Sequence, residues 1–364
     1  MKDQPELIEI EPTKGCNLKC RMCHVAFMKE PVEYLDLSRI LDFTFLRGKT
    51  VILGSVFEPF IHPEINRLID ILNKQNCKLV IITNAHNLHK KNIPAIFDSD
   101  LDAVTFSFDG IKRNTYESIR IGGNFDRTLD NIASFRSAYS GRETFFAINS
   151  TVMLNNLEEV PSAPSFWEGY NFDLIRFISM VIREESEFLK KNSLWSRKEE
   201  YFQALNEAAY SIDKSNYKIA ISSPYFESPA GKSKWGNRVK SGVFRGENGH
   251  PYKNQRLYHR EFEYGAGDGM GFPCKSPFVS ARIIWDGSVN LCHRMPVGSL
   301  YQNTFKEIWS GQRANELRRQ VKGENDLCNN CDYFRFCINS HYIDLNDMNN
   351  YFSENVRNLS RVEV

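Results

Sequence analysis

Between residues 7 and 181 short apolar runs alternate with helix-like segments, and this alternation constrains the fold more than any other feature. Residues 7–11, 50–54, 78–83, 103–108, 144–153 and 174–181 read as strands that are apolar almost throughout. Helical periodicity falls over 37–46, 65–74 behind Pro63, 125–139 and from 157 onward, with a further helix between 83 and 103. Strands without polar alternation, separated by helices, imply a parallel sheet covered on both faces. Six such units predict an α/β fold, a partial (β/α)6 TIM-like barrel. In such barrels the reacting groups sit on the loops after the strands. Those loops carry Cys16, Cys20 and Cys23, then Glu58, then Asn84, then Ser107 and Asp109, and the fifth strand ends with Asn149 and Ser150.

A chain of 364 residues has room for one large α/β domain and a smaller appendage. Lysine plus arginine number 46 against 45 aspartates plus glutamates, so no global field recruits nucleic acid or an anionic membrane. No apolar run approaches the ~20 residues of a membrane span, and residues 1–11 lack the apolar core of a secretion signal. A cytoplasmic protein with neither a nucleic-acid nor a membrane partner is expected.

The chain has nine cysteines, clustered at Cys16, Cys20, Cys23 and at Cys274, Cys292, Cys328, Cys331, Cys337, with Cys77 between. An odd number without a secretion signal points to metal ligation in a reducing compartment. The C-x3-C-x2-C run can hold three irons of a 4Fe-4S cube and leave the fourth without a protein ligand. The alternative, zinc, needs a fourth ligand at defined spacing, and His24 is badly placed next to Cys23. Cys77 precedes its strand and reads as a core thiol at the opposite end of the sheet. In the C-terminal part, alternation on either side of Asp286-Gly287 reads as a hairpin over 281–292, followed by a helix over 304–321. Cysteine pairs flanking a hairpin also suit a zinc ribbon. Residues 191–212 include a helix and 218–222 a strand. The basic segment 231–256 is a loop, either solvated or a lid that meets an anionic substrate through Lys232, Arg238, Arg245 and their neighbours.

The cysteine run resembles the signature of the radical S-adenosylmethionine (SAM) enzymes. Glu58-Pro59-Phe60-Ile61-His62-Pro63 looks like that family's G-G-E-P-x-x-H-P segment, whose glutamate and adjoining backbone hold the methionine amino group. Val56 and Phe57 stand where the family usually has glycines. Ser107-x-Asp109-Gly110 and Tyr116 to Arg120 resemble its fourth-strand segment, where the serine helps hold the methionine end. The block C-x12-G-x4-C followed by C-x2-C-x5-C is similar to the auxiliary-cluster extensions called SPASM and, when shortened, twitch domains. The resemblance implies three parts: a catalytic core over 1–215, a linker or lid-like region over 216–273, and a small α+β auxiliary-cluster domain over 274–364. It implies Cys16, Cys20 and Cys23 as catalytic cluster ligands and Glu58, Asn84, Ser107 and Asn149 as the SAM-binding set. At least one auxiliary 4Fe-4S cluster follows, on Cys274, Cys292, Cys328 and Cys331. A second arrangement uses Cys328, Cys331 and Cys337 for one incomplete cluster, with Cys274, Cys292 and His341 on the other.

The implied activity is that of a radical SAM oxidoreductase, which takes electrons from a flavodoxin- or ferredoxin-like donor and abstracts hydrogen through a 5'-deoxyadenosyl radical. A first strand beginning near Leu7 leaves no room for a leader-peptide-binding domain. The expectation is therefore a small polar substrate such as a sugar or aminocyclitol, dehydrogenated or epimerised at a carbinol carbon, with Cys337 the spare thiol for an epimerase. A ribosomally made peptide or protein is the alternative substrate. A non-catalytic iron-sulfur or zinc protein is the alternative of another class.

Overall fold

The computed structural model describes residues 4–180, 186–194, 197–223, 239–241, 276–292 and 295–320. One sheet organises them. Its strands are β1 (Leu7–Ile10), β2 (Thr50–Leu53), β3 (Lys78–Thr83), β4 (Ala103–Ser107), β5 (Phe145–Val152), β6 (Leu174–Ser179), β7 (Ala220–Ser223), β8 (Val239–Ser241), β9 (Ser280–Ile283), β10 (Ser288–Cys292) and β11 (Met295–Ser299). They lie in the order β8-β7-β6-β5-β4-β3-β2-β1-β9-β10-β11. From β8 to β9 every pairing is parallel, and β9, β10 and β11 pair antiparallel. Strict sequence order with helical crossovers is the winding of a (β/α) barrel. The six expected strands are all present. Two short parallel strands, β7 and β8, continue the sheet past them, and the C-terminal hairpin joins its other edge beside β1.

The strands are buried on both faces, as their continuous apolar character demands. Val104, Phe106, Phe146, Ile148, Ile175 and Phe177 face the large core beneath the helices. Val80, Ala103, Phe145, Ala147 and Leu174 form a separate small core on the other face. Helix Ile65–Lys74 buries Ile65, Leu68, Ile69 and Leu72, the i, i+3, i+4, i+7 stripe of an amphipathic helix. At about 1.5–3 kcal/mol for each fully buried aliphatic side chain, that stripe secures the crossover from β2 to β3. No helix among the described residues is long and apolar enough to cross a membrane.

Three local expectations change. Residues 37–46 are two separate 3-10 turns, Leu37–Arg39 and Thr44–Leu46. The Asp36 carboxylate accepts from the Ser38 N–H and hydroxyl, and Asp42 from those of Thr44, which stops a continuous helix. Residues 304–320 form two helices, Phe305–Ser310 and Gln312–Gln320, divided at Gly311. The hairpin also gains a third strand, β11. Of the segment 231–256, only residues 239–241 lie among those described.

Candidate active site

The loop with the first three cysteines leaves the C-terminal end of β1. Lys19–Cys20 pairs antiparallel with Arg120–Ile121, and the Arg21 N–H donates to the Ile119 carbonyl at 2.9 Å. These bonds tie the loop to the segment after β4. Cys16, Cys20 and Cys23 are thiols outside any disulfide. The Cys16 sulfur accepts from the Leu18 N–H at 3.4 Å and from Asn84 Nδ2 at 3.3 Å. Burial pushes the Cys16 thiol up to about 11 and the Cys20 thiol up to about 12. Metal ligation at these residues must therefore displace protons, because thiolates are the ligands.

Glu58 is the centre of the next loop. Its side chain is 3 % exposed. One carboxylate oxygen accepts from the Thr83 hydroxyl at 2.7 Å and the Phe60 N–H at 3.1 Å, the other from the Asn84 N–H at 2.7 Å. Burial pushes the carboxyl up to about 7, against the pull of those three donors. Asn84 Nδ2 also donates to Asn17 Oδ1 at 2.9 Å, and Asn84 Oδ1 accepts from the His86 N–H at 2.9 Å. An unbroken path thus runs from Glu58 through Asn84 to Cys16. The Glu58 N–H donates to the Gly15 carbonyl at 3.1 Å, which closes the path from the other side. Gly54 permits the turn out of β2: its φ is +75°, and a Cβ there would lie 2.7 Å from Pro59 Cδ and 2.8 Å from the Ile82 carbonyl oxygen.

Thr83 pairs with Phe106 and Ser107 with Asn149, so Asn84, Ser107 and Asn149 continue one row across three neighbouring strands. Asn149 Oδ1 accepts from Arg176 Nη1 at 3.1 Å. Just beyond Ser107, the buried Asp109 accepts from the Thr151 N–H at 2.7 Å and pairs with Arg120 Nη2 at 2.8 Å. Burial pushes the Asp109 carboxyl up, and Arg120 pulls it back. The guanidinium is 5 % exposed, so its charge acts at short range in a dry environment on Cys16, Cys20 and Glu58 as well.

Two groups of residues were missed in the sequence. The first is Glu9, Glu11 and Arg282: the guanidinium lies 3.1 Å from Glu9 and 2.9 Å from Glu11. The signal was present as a charged residue at every second position of residues 8–11, which a strand places on one face. The second is a small apolar cluster of Ile119, Met153, Met180 and Leu189 with Met22 and Phe188 against it. Met22 lies between Cys20 and Cys23, and the others come from four separate segments, so no local pattern marks them. Cys77 sits directly before β3, where its thiol donates to the Leu46 carbonyl at 3.3 Å and burial pushes it up to about 11. Cys292 ends β10 and packs against the main core. Cys274, Cys328, Cys331, Cys337 and His341 lie outside the described residues.

The donor set suits an iron-sulfur cube. No three His, Cys, Asp or Glu side chains among the described residues converge on a single metal ion. A cube presents a separate iron to each thiolate and has no need of a common point. Cluster sulfides also accept N–H bonds, and buried Asn17 Nδ2, beside Cys16, has no acceptor among the described residues.

The family model of the radical SAM superfamily matches residues 10–163, and that of the SPASM iron-sulfur cluster-binding domain matches residues 274–332. The chain belongs to the radical SAM superfamily, carries a C-terminal SPASM domain, and is an enzyme whose cofactors are S-adenosylmethionine and 4Fe-4S clusters. It is 25 % identical over 351 residues to the AdoMet-dependent heme synthase of Methanosarcina barkeri, covering 93 % of this chain and 91 % of that protein. Its fold is similar to that of anSMEcpe with bound AdoMet, with a TM-score of 0.60 at 17 % identity over 98 % of this chain and 95 % of that one. It is also similar to Streptococcus suis SuiB bound to S-adenosylmethionine, with a TM-score of 0.59 at 15 % identity over 92 % of this chain and 72 % of that one.

Proposed function

We propose that Cys16, Cys20 and Cys23 hold the catalytic cluster and that Glu58, Asn84, Ser107 and Asn149 wall the SAM site above it. The observation that carries this reading is the hydrogen-bonded path Glu58–Asn84–Cys16, which fixes the thiol loop to the carboxylate loop. When bound, the reduced cluster and SAM together supply a 5'-deoxyadenosyl radical able to take a hydrogen atom from carbon. The chain's residues position and exclude. Leu18 and Asn84 orient Cys16 by N–H bonds to its sulfur. Asn149, steadied by Arg176, offers an amide to a ribose, and Ser107 a hydroxyl to the methionine end. The faces of Met22, Ile119, Met153 and Met180 suit an adenine ring and keep water away. Cys292 contributes to the auxiliary cluster with Cys274, Cys328 and Cys331, within a domain spanning 274–364 beside a core over 1–215. An external flavodoxin- or ferredoxin-like protein supplies the electron, in a reducing compartment of the cytoplasm.

The substrate is small and polar, such as a sugar or aminocyclitol, and is oxidised or epimerised at a carbinol carbon. Support comes from the polar groups Asn149 and Arg176, which lie in register with Ser107 across β4–β5–β6. A tetrapyrrole is the second reading, favoured by the name of the Methanosarcina relative that spans nearly the whole chain. Anaerobic reconstitution tests the cluster assignment. Wild-type protein should show a reduced-cluster spectroscopic signal that changes when SAM is added, and Cys16→Ala/Cys20→Ala/Cys23→Ala should not. A SAM-dependent change that survives in the triple variant would overturn it. Added polyols, peptides or porphyrins then separate the substrate classes by which one accelerates 5'-deoxyadenosine release. Acceleration by peptides or porphyrins alone would overturn the polar-substrate reading.

A further inference from the structure

We propose that Arg282, on the first strand of the C-terminal hairpin, is a positioning residue for the SAM-binding loop and acts through Glu11. This rests on the reading above, that the loop around Glu58 holds SAM. The connection is continuous. Glu11 is fully buried, and its own N–H donates to the Ile283 carbonyl at 2.8 Å, so it is held against β9 by main chain as well. One of its carboxylate oxygens accepts from Arg282 Nη2 at 2.9 Å and from the Val56 N–H at 2.7 Å. The other accepts from the Phe57 N–H at 3.3 Å. Val56 and Phe57 immediately precede Glu58, so the carboxylate pins the two peptide units that set where Glu58 begins. Glu9 forms an ion pair with Nε of the same guanidinium at 3.1 Å, without hydrogen-bond alignment.

A second contact reinforces the first. The Phe57 ring meets Trp285, at the tip of the same hairpin, edge to face at a centroid distance of 5.2 Å. Its centroid also lies 6.1 Å from that of the His24 ring, which follows Cys23. Phe57 occupies a position where the sequence resemblance leads one to expect glycine. In this chain the aromatic ring there joins the hairpin, the Glu58 loop and the cysteine loop. β10, which ends in Cys292, is the next strand of that hairpin. Through Arg282 and Trp285 the SPASM hairpin therefore holds Val56 and Phe57, the two residues that lead into Glu58.

The test uses the reconstituted full chain with Arg282→Met, Glu11→Gln and the conservative Arg282→Lys. Two quantities are read: hydrogen exchange of the peptide bearing Val56 and Phe57 without SAM, and equilibrium SAM binding with iron content measured alongside. The expected result for Arg282→Met and Glu11→Gln is faster exchange in that peptide and SAM affinity weaker by about 10–100-fold, the range for lost supporting contacts, at unchanged iron content. Arg282→Lys should recover part of both. A general loss of structure would instead lower iron content and speed exchange throughout. Trp285→Leu, which leaves the ion pair intact, covers the case in which Arg282→Met does not fold, and should also speed exchange at Phe57. Unchanged exchange at Val56 and Phe57 in a folded variant would overturn the proposal. Wild-type protein that binds no SAM would overturn the function proposed above, while the exchange measurement still decides the coupling.

Discussion

Replacing Glu58 by alanine removes an acceptor from two buried backbone N–H groups, those of Phe60 and Asn84, and from the Thr83 hydroxyl. A hydroxyl can rotate to a new partner, but the two amides cannot. Each buried donor left unsatisfied costs about 1–3 kcal/mol, so the variant should be less stable by about 2–6 kcal/mol, offset in part because a buried carboxylate no longer has to be desolvated. Thr83→Val, which removes one donor to the carboxylate and leaves the buried Ala85 N–H without its acceptor, should cost about 1–3 kcal/mol. Urea unfolding of the cluster-free protein, followed by circular dichroism, measures both. Because the Asn84 backbone hangs on Glu58 and its side chain on Cys16, the same variant should also retain less iron after reconstitution. A Glu58→Ala transition coincident with wild type would refute the reasoning, since the loop would then be held without the carboxylate.

Arg120→Met should destabilise by about 3–5 kcal/mol by leaving the buried Asp109 carboxylate unpaired, and Arg120→Met/Asp109→Asn should recover much of the loss; equal stability of all three proteins in denaturant titration would contradict this. Burial holds the His62 imidazole below the ordinary histidine value of 6.5, against the opposing pull of the Leu35 carbonyl at its ring and of the nearby Glu64 carboxylate. The unfolded chain then binds the extra proton, so stability should fall as pH drops through and below 6.5, with a slope of at most about 1.4 kcal/mol per unit for this group. His62→Gln should flatten that slope, and an identical slope in the variant would remove His62 as its source.

The parallel sheet was legible because its strands are buried on both faces, which prints an uninterrupted apolar run such as Lys-Leu-Val-Ile-Ile-Thr in the sequence. The first cysteines and Glu58 stood out as candidates by local spacing, and the structure links Cys16 to Glu58 through Asn84. What escaped depends on pairing between distant segments. The two residues Arg120–Ile121 that clasp the cysteine loop are too few to show periodicity. β11 contains Pro296 and Gly298, which weaken a strand pattern, and its pairing with β10 is irregular. The turns at 37–46 have helix-like apolar spacing, but the Asp36 and Asp42 side chains decide the backbone there. Glu11 reads as the polar end of a strand until β9 arrives beside it with Arg282, from the far end of the chain.

The most direct test of the central claim is the formation of 5'-deoxyadenosine. Reconstituted wild-type protein, given S-adenosylmethionine and a strong one-electron reductant without oxygen, should release 5'-deoxyadenosine and methionine in equal amounts, and the Cys16→Ala/Cys20→Ala/Cys23→Ala protein should release neither. Iron-loaded wild-type protein that leaves S-adenosylmethionine intact, or a triple variant that still cleaves it, would contradict the account.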